Sequence, residues 1–214
     1  MVRKLLLLGG GGHCKSIIDS LSGCNTYAGI GIVEKSGIDH APILGIPVVG
    51  TDEDLEKLKR EGYTDAFVSL GSIGNTSNRR KLFGMIATLG FCIPNIIDDS
   101  AIVSSNSILG RGSFIGKHAV VNAGSVLGDG VIINSSATVE HDCVIGAFAH
   151  VSPGVVLCGN VTIGVDAHIG AGSIVRQQVQ IGNRAIIGMC SIVLHDVPDN
   201  TLAYGSPCQV VRSL

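Results

Sequence analysis

The sequence predicts an α/β amino-terminal domain with a Rossmann-like parallel sheet, followed by an all-β left-handed parallel β-helix built from hexapeptide repeats. Two observations support this prediction. From residue 102 onward the chain repeats with a period of six residues, whereas the preceding part is not repetitive and alternates predicted strands with predicted helices. We place the boundary so that residues 1–98 form the first domain and residues 99–214 form the second.

The hexapeptide repeat runs without interruption from Ile102 to Val197. The second position of every block is aliphatic, and the sixth position is always Ser, Ala, Val or Cys. A half-buried strand alternates with a period of two residues and a helix repeats near 3.6, so a period of six fits neither element. It fits a three-sided solenoid with one hexapeptide per side, in which the aliphatic residue fills the interior and the small residue lies beside the turn.

The amino-terminal part alternates apolar segments with helical patterns. Predicted strands cover residues 3–8, 27–33 and 66–70, and predicted helices cover residues 13–22, 51–62 and 78–89. The second of these helices begins at Thr51, a suitable capping residue, and ends at Gly62. Strands that alternate with helices indicate a small parallel sheet of Rossmann type.

Composition excludes several classes of function. The formal net charge is -2 and no stretch is strongly basic, which argues against nucleic acid as a partner. The apolar run Leu5–Leu8 is far shorter than the roughly 20 residues that a membrane helix needs, so we expect no membrane insertion. The seven cysteines show no CxxC spacing and indicate reduced, small core residues in a cytoplasmic protein.

A glycine-rich loop follows the first predicted strand and opens the first predicted helix. Its backbone at Gly10–Gly12 allows an anion to approach, the helix offers free N–H groups, and Lys15 adds a cation. Because His13 and Cys14 follow the glycines directly, the loop departs from G-x-G-x-x-G, and we expect a nucleotide smaller than a nicotinamide dinucleotide. Glu34, at the end of the second strand, stands where an acid would bind ribose. The alternative is a tight turn without a ligand.

A second candidate site lies in the repeats. His141 stands between Glu140 and Asp142, at a corner of the predicted solenoid where its side chain points outward. A carboxylate bonded to one ring nitrogen fixes the tautomer and raises the basicity of the other. The pattern therefore predicts a general base, with the basicity that would be needed if a proton had to be removed as an amine attacks a thioester. The alternative is a salt-linked surface turn.

The other histidines of the solenoid have weaker patterns. His150 follows His141 by one and a half hexapeptides, and we expect it on a nearby surface one layer along, where it could donate to a thioester or coenzyme carbonyl. His118, His168 and His195 are predicted to be exposed. No cluster has the spacing of a zinc site, so no metal is expected.

The GGGGHCK loop, the hexapeptides, and the segment Glu140–Gly146 with His150 together resemble the sialic acid O-acetyltransferase-like sugar acetyltransferases. Within that group the chain is similar to the enzymes that N-acetylate UDP-4-amino-4,6-dideoxy sugars in the bacillosamine pathway. The resemblance covers nearly the whole chain, including Gly205-Ser206-Pro207. It implies an acetyl-CoA-dependent homotrimer, with acetyl-CoA in the cleft between neighbouring β-helices and a nucleotide sugar on the glycine loop.

The resemblance also implies roles for individual residues. His141 would be the general base, supported by Asp142 as the first choice or Glu140 as the second, while His150 would contact the acetyl thioester and Asn134 the sugar. The coenzyme groove would be lined, mostly through backbone atoms, by Gly159, Ala171, Gly188 and Met189.

Two departures and two alternatives stay open at this point. Cys14 stands where similar enzymes carry glycine, and Glu34-Lys35 replaces an acidic pair, so both UDP and GDP are candidate nucleotides. The acceptor could be a sugar hydroxyl, as in sialic acid O-acetylation. The chain could also be a non-catalytic trimeric scaffold that binds a nucleotide as a signal, because a fold alone does not define a function.

Overall fold

The structure, a computed structural model, describes residues 3–22, 26–37 and 41–214. It divides into an amino-terminal unit, Met1–Gly71 with Ser77–Ile96, and a carboxy-terminal unit, Ser72–Thr76 with Ile97–Leu214. The short segment Ser72–Thr76 thus belongs to the carboxy-terminal unit, although the sequence analysis assigns it to the first domain. The predicted fold class, an α/β sheet followed by a left-handed parallel β-helix, is confirmed.

The amino-terminal unit contains a four-stranded parallel sheet with the strand order β3-β2-β1-β4. Its strands are β1 (Lys4–Leu8), β2 (Gly29–Glu34), β3 (Val48–Thr51) and β4 (Asp65–Val68). Its helices are α1 (Gly12–Ser20), α2 (Leu55–Arg60), which follows a 3-10 turn (Asp52–Asp54), and α3 (Ser77–Thr88). The side chains of Leu5–Leu8 are fully buried because β1 is a central strand.

Strand β3 is not predicted from the sequence. It is a short edge strand, and all of its residues are half-buried, so it lacks the alternation or the apolar run that marks a strand. The turn that follows begins where the sequence predicts a helix start. There the Thr51 amide donates to the Asp54 carboxylate over 2.8 Å, which satisfies one of the free N–H groups at the start of the turn.

The carboxy-terminal unit consists of two-residue strands that stack into three parallel sheets, which we call faces 1, 2 and 3 in chain order. Face 1 contains β6 (Ile102–Val103), β9 (Val120–Val121), β12 (Thr138–Val139), β15 (Val156–Leu157), β18 (Ile174–Val175) and β21 (Ile192–Val193). Face 2 contains β7 (Ile108–Leu109), β10 (Val126–Leu127), β13 (Val144–Ile145), β16 (Thr162–Ile163) and β19 (Gln180–Ile181). Face 3 contains β8 (Phe114–Ile115), β11 (Ile132–Ile133), β14 (His150–Val151), β17 (His168–Ile169) and β20 (Ile186–Ile187). β5 (Ile96–Ile97) lies where one unit ends and the next begins along the chain.

Each coil takes 18 residues, as the pairing of Val126 with Val144 shows. The second position of each hexapeptide points inward, and Ile115, Val121 and Leu157 are fully buried in the core. The fifth position turns the chain, and every such residue from Gly112 to Cys190 has a positive φ. We name the corners by the faces that they join: corner 1–2 joins faces 1 and 2, and corner 3–1 joins faces 3 and 1.

The last strands close the β-helix. β22 (Thr201–Gly205) pairs with β20 at the end of face 3, and β23 (Cys208–Ser213) returns antiparallel to it. Among the helices that the structure describes, none has the length and apolar character needed to cross a membrane. The six cysteines within the described residues are all free thiols.

Candidate functional site

His141 lies at corner 1–2, immediately after strand β12. Its Nδ1 is 2.9 Å from Oδ2 of Asp142, whose backbone φ of +60° turns the chain at this corner. A carboxylate accepts the Nδ1–H, so the lone pair of the neutral ring is on Nε2. The two side chains are 61% and 57% exposed, which leaves Nε2 accessible to a ligand as a proton acceptor.

Glu140, the other acid beside His141, is engaged elsewhere. Its carboxylate accepts a hydrogen bond from the Asn122 side-chain amide over 3.0 Å. Its backbone carbonyl accepts another from the Ser125 hydroxyl over 2.8 Å. Of the two acids that flank His141, Asp142 is therefore the one that orients the imidazole.

Glycines in the neighbouring coils make room for this pair. A Cβ atom at Gly159, in the next coil, would lie 2.5 Å from Nε2 of His141. A Cβ atom at Gly124, in the preceding coil, would overlap the carboxylate of Asp142. Among the described residues, no acceptor binds the backbone N–H of Gly159. The reactive nitrogen of His141 thus lies against a glycine whose amide is available to a ligand.

His150 lies on the opposite side of the β-helix from corner 1–2. The expectation that it faces a nearby surface is wrong, because nine residues are half of an 18-residue coil and reach face 3. Its Nδ1 donates to the carbonyl of Ser72 over 3.0 Å, and its Nε2 is 3.3 Å from the side-chain amide nitrogen of Asn134. Both ring nitrogens therefore have partners within the carboxy-terminal unit.

The prediction that His168 is exposed is also wrong, because its side chain is buried and only 7% exposed. The first position of a hexapeptide points outward, but on face 3 the rings of His168 and His150 pack edge to face with centroids 5.0 Å apart. Burial lowers the pKa of His168. His118 and His195 are exposed as predicted.

The remaining predicted coenzyme residues lie at corner 3–1. The Cys190 amide donates to the carbonyl of Ala171 over 2.8 Å, so consecutive coils stack here, and Met189 is 75% exposed. Asn134 occupies the same corner further back along the solenoid. Apart from His150 on face 3, the predicted site residues of the β-helix thus divide between corner 1–2, with His141 and Gly159, and corner 3–1. The described residues contain no group of three or more His, Cys, Asp or Glu side chains suited to a metal.

The glycine loop of the amino-terminal unit has a tight half and an open half. Gly9 has a φ of +100°, and the Gly10 amide donates to the carboxylate of Glu34. A Cβ atom at Gly11 or Gly12 would meet no atom within 4 Å. Helix α1 begins here without a side-chain cap, and an anion at a helix N-terminus takes the place of such a cap.

The residues after these glycines differ in their surroundings. Lys15 is exposed in the first turn of α1. The side chain of Cys14 is fully buried and burial raises its pKa, so the expectation that it contacts substrate is corrected: only its backbone could reach a ligand. Burial, with a smaller contribution from Arg79, lowers the pKa of His13 to about 4.

A cavity of about 230 Å³ lies beside the loop, at the carboxyl ends of the strands. It is lined by Gly9, Val33, Glu34, Lys35, Asp52, Leu70, Asn78, Lys81 and Leu82. The strand order reverses between β1 and β4, and α/β sheets bind ligands at such a point. A larger cavity of about 450 Å³ lies between α2 and α3 and shares the wall residue Asp52 with the first, but no residue of the glycine loop lines it.

Three polar residues of this cavity are missed by the sequence analysis: Asp52, Asn78 and Lys81. They follow the unpredicted strand β3 or lie in the first two turns of α3, and no motif joins them. Burial raises the pKa of Asp52, which Lys81 partly offsets. The cavity thus offers an acid, an amide and a cation to a polar ligand.

The low pKa of His13 predicts a loss of stability in acid. Since the folded pKa of about 4 lies below the ordinary 6.5, the unfolded chain binds a proton first as pH falls through this window. Relative to His13→Gln, the parent should lose roughly 3 kcal/mol of unfolding free energy between pH 7 and pH 4, by urea titration. His118→Gln, at an exposed site, should follow the parent. An identical pH dependence of parent and His13→Gln would contradict this assignment.

Known proteins match both units. The family model of the PglD N-terminal domain matches residues 4–86. The acetyltransferase domain of PglB from Neisseria gonorrhoeae, solved with acetyl coenzyme A, is 39% identical with a TM-score of 0.91, over 99% of this chain and 100% of that chain. PerB from Caulobacter crescentus, solved with CoA and GDP-perosamine, is 37% identical with a TM-score of 0.91, over 99% of each chain.

A third structure, WeeI from Acinetobacter baumannii, shares the fold. It is 20% identical in sequence with a TM-score of 0.80, and the match covers 98% of this chain and 100% of that chain. No curated protein sequence matches significantly. The two more similar structures extend over nearly the whole chain, so the likeness includes both the glycine loop and corner 1–2.

Proposed function

The chain belongs to the PglD-type family of acetyltransferases, and we propose that it transfers the acetyl group of acetyl-CoA to the 4-amino group of a nucleotide-linked 4-amino-4,6-dideoxy sugar. The observation that carries this proposal is the exposed His141–Asp142 pair, with Nδ1 bonded to the carboxylate and Nε2 accessible. The glycine loop and its polar cavity, in the same chain, support a nucleotide-linked acceptor. The ligands of the similar structures support acetyl-CoA as the acetyl donor, because PglB was solved with acetyl coenzyme A and PerB with CoA.

In the proposed reaction the neutral amine attacks the thioester carbonyl directly. As the C–N bond forms, Nε2 of His141 takes a proton from the amine, and Asp142 stabilises the resulting imidazolium. The N–H of Gly159, the glycine that lies against the His141 ring, is a suitable donor to the oxyanion. The C–S bond then breaks and the CoA thiolate takes the proton from His141, which leaves the amide, the thiol and the neutral base.

We further propose that the active form is a homotrimer with acetyl-CoA between neighbouring β-helices. Corner 1–2 and corner 3–1 are the two edges of face 1, so one chain presents two separate halves of the predicted site. A threefold arrangement that brings corner 1–2 of one protomer beside corner 3–1 of its partner would complete the groove. Apolar side chains are available for such packing, since Ile174 on face 1 is 44% exposed and Met189 is 75% exposed.

The nucleotide is proposed to bind with its phosphates at Gly11 and Gly12 and its nucleoside in the adjoining cavity. The resemblance stated above favours UDP. The likeness to PerB, solved with GDP-perosamine, favours GDP as the second candidate. Glu34 contributes indirectly, because its carboxylate already holds the Gly10 amide and so fixes the shape of the loop.

A thiol-release assay tests the proposed function. The purified chain is given acetyl-CoA with a panel of UDP- and GDP-linked 4-amino-6-deoxy sugars, and with UDP-GlcNAc and sialic acid as controls. Release of CoA with one amino-sugar nucleotide supports the proposal and identifies the nucleotide. Activity on sialic acid alone would instead indicate a hydroxyl acceptor, and no release with any acceptor would favour the scaffold hypothesis.

A further inference from the structure

The cavity of about 230 Å³ beside the glycine loop contains an acid that the local fold does not use. Asp52 is half-buried and begins the 3-10 turn that follows β3. Among the residues that the structure describes, none donates a hydrogen bond to its carboxylate. The cap of the turn is supplied instead by Asp54, which accepts from the amide and the hydroxyl of Thr51. The Asp52 carboxylate is therefore available to a ligand.

Glu34, the other acid in the wall of this cavity, is already engaged. Its carboxylate accepts from the backbone amide of Gly10 and, over 3.3 Å, from that of Lys35. Burial raises the pKa of Asp52, and three of the four charged side chains that act on it electrostatically line the same cavity. These three are Lys81, Glu34 and Lys35. Asp52 is thus the acid of this wall that can accept hydrogen bonds from a ligand.

The separation between Asp52 and the glycine loop suits a nucleoside. Gly9 follows β1 and Asp52 follows β3, with β2 between them, so two strand spacings, about 10 Å, separate the two positions. A phosphate at the open glycines of the loop would place the ribose over β2 and the base beside β3. Apolar side chains in the wall are available to pack against the faces of the base: Val33, Leu70 and Leu82.

We propose that Asp52 selects a guanine nucleotide by accepting from both donors on the pairing edge of the base, N1–H and the N2 amino group. This inference rests on the proposed function, because it names the base of the nucleotide sugar. Guanine is the one common base with two adjacent donors on that edge, and they match the two oxygens of one carboxylate. Lys81, in the same wall, supplies a donor for O6, the acceptor beside N1.

Uracil presents the opposite pattern to this acid. Its pairing edge carries one donor, N3–H, between two carbonyl oxygens. A carboxylate that accepts from N3–H brings its second oxygen towards one of these carbonyls, where two acceptors repel each other and neither gains a hydrogen bond. Asp52 therefore favours GDP over UDP, although both nucleotides offer the same phosphates to the glycine loop.

Calorimetry on the full-length chain with GDP, UDP and inosine diphosphate (IDP) tests this assignment. IDP differs from GDP only in lacking the N2 amino group. The parent should bind GDP about tenfold to a hundredfold more tightly than UDP, the discrimination that one bidentate contact to a base provides. It should bind IDP about tenfold more weakly than GDP, because one of two charge-assisted hydrogen bonds is lost.

Asp52→Asn replaces one carboxylate oxygen with an amide group that donates. This variant should bind GDP at least about tenfold more weakly than the parent, bring GDP and IDP within about threefold of each other, and keep UDP within about threefold of the parent value. Charge alone predicts the opposite, since removing a negative charge favours any nucleoside diphosphate. Glu53→Gln is the matched control, because Glu53 is the neighbouring acid and is not a wall residue of this cavity. It should change all three constants by less than about twofold.

Thermal unfolding midpoints show whether each variant folds, and the comparison of GDP with IDP tests the inference on the parent alone. Binding of UDP as tight as that of GDP would overturn the assignment, as would binding of neither nucleotide or an unchanged affinity of Asp52→Asn for GDP. Failure of the proposed function gives a different result. A parent that binds GDP through Asp52 but acetylates no amino-sugar nucleotide keeps the inference and loses the proposed function, whereas preferred acetylation of a UDP-linked amino sugar does the reverse.

Discussion

Replacing His141 with alanine should lower the turnover number at least about a hundredfold, the usual contribution of a positioned general base. The neutral ring presents Nε2 to the ligand because Asp142 accepts the hydrogen of Nδ1 over 2.9 Å. Without the ring the amine must lose its proton to water. The measurement is CoA release at saturating acetyl-CoA and acceptor, with the dissociation constant of the nucleotide determined in parallel and expected to be unchanged.

The chain supplies a matched control for this substitution. His195 occupies the same corner and the same repeat position as His141, three coils further along, and is likewise followed by an aspartate. Asp196 accepts instead from the Gln180 amide over 2.8 Å. His195→Ala should therefore retain nearly full turnover. Turnover of His141→Ala within a few-fold of the parent would remove His141 from the role of base.

Replacing Gly159 with alanine should lower turnover on the order of a hundredfold, although this residue has no reactive group. The new methyl carbon would lie 2.5 Å from Nε2 of His141, so the ring must move by about an ångström, and a displacement of that size in a catalytic group has a cost of this order. The alanine would also narrow the approach to the Gly159 amide, the proposed oxyanion donor.

Stability should change little in this variant, because the ring that must move is 61% exposed and has room to rotate. Gly84→Ala is the control, since a Cβ atom at Gly84 in α3 meets no atom within 4 Å. CoA release and thermal unfolding are measured on both variants. Full turnover in Gly159→Ala would show that the position of His141 against this glycine is not required for catalysis.

The β-helix could be predicted from the sequence because its pattern is local and repeats. Each strand pairs with the segment 18 residues away, so a period of six fixes the strands, the inward positions and the corners together. The outward direction of His141 follows from its place at a corner. Asp142, the first choice for its partner acid, is the one bonded in the structure. The spacing alone does not decide between two neighbouring carboxylates, because Glu140 is engaged by Asn122, one coil back.

The features that the sequence does not reveal depend on contacts distant in the chain. The exposed fractions of the His168 and His150 side chains depend on the packing of the two rings against each other on face 3. The hydrogen bond from His150 to the Ser72 carbonyl joins residues 78 positions apart in sequence. The nucleotide cavity gathers Asp52, Asn78 and Lys81 from separate elements, which no spacing rule connects. The burial of Cys14 agrees with the interpretation of the cysteines as core residues, whereas its assignment to the substrate site was wrong. The glycine-rich motif indicates a backbone site and does not give the direction of each side chain.

One comparison tests the proposed reaction most directly. The parent chain is given acetyl-CoA with the preferred nucleotide-linked 4-amino-4,6-dideoxy sugar, and separately with the matched sugar nucleotide that carries a hydroxyl group at the same carbon. We expect release of CoA with the amine and none above background with the hydroxyl compound, since His141 is proposed to take its proton from an attacking amine. Equal release with the hydroxyl compound, or none with either, would contradict N-acetylation as the reaction of this chain.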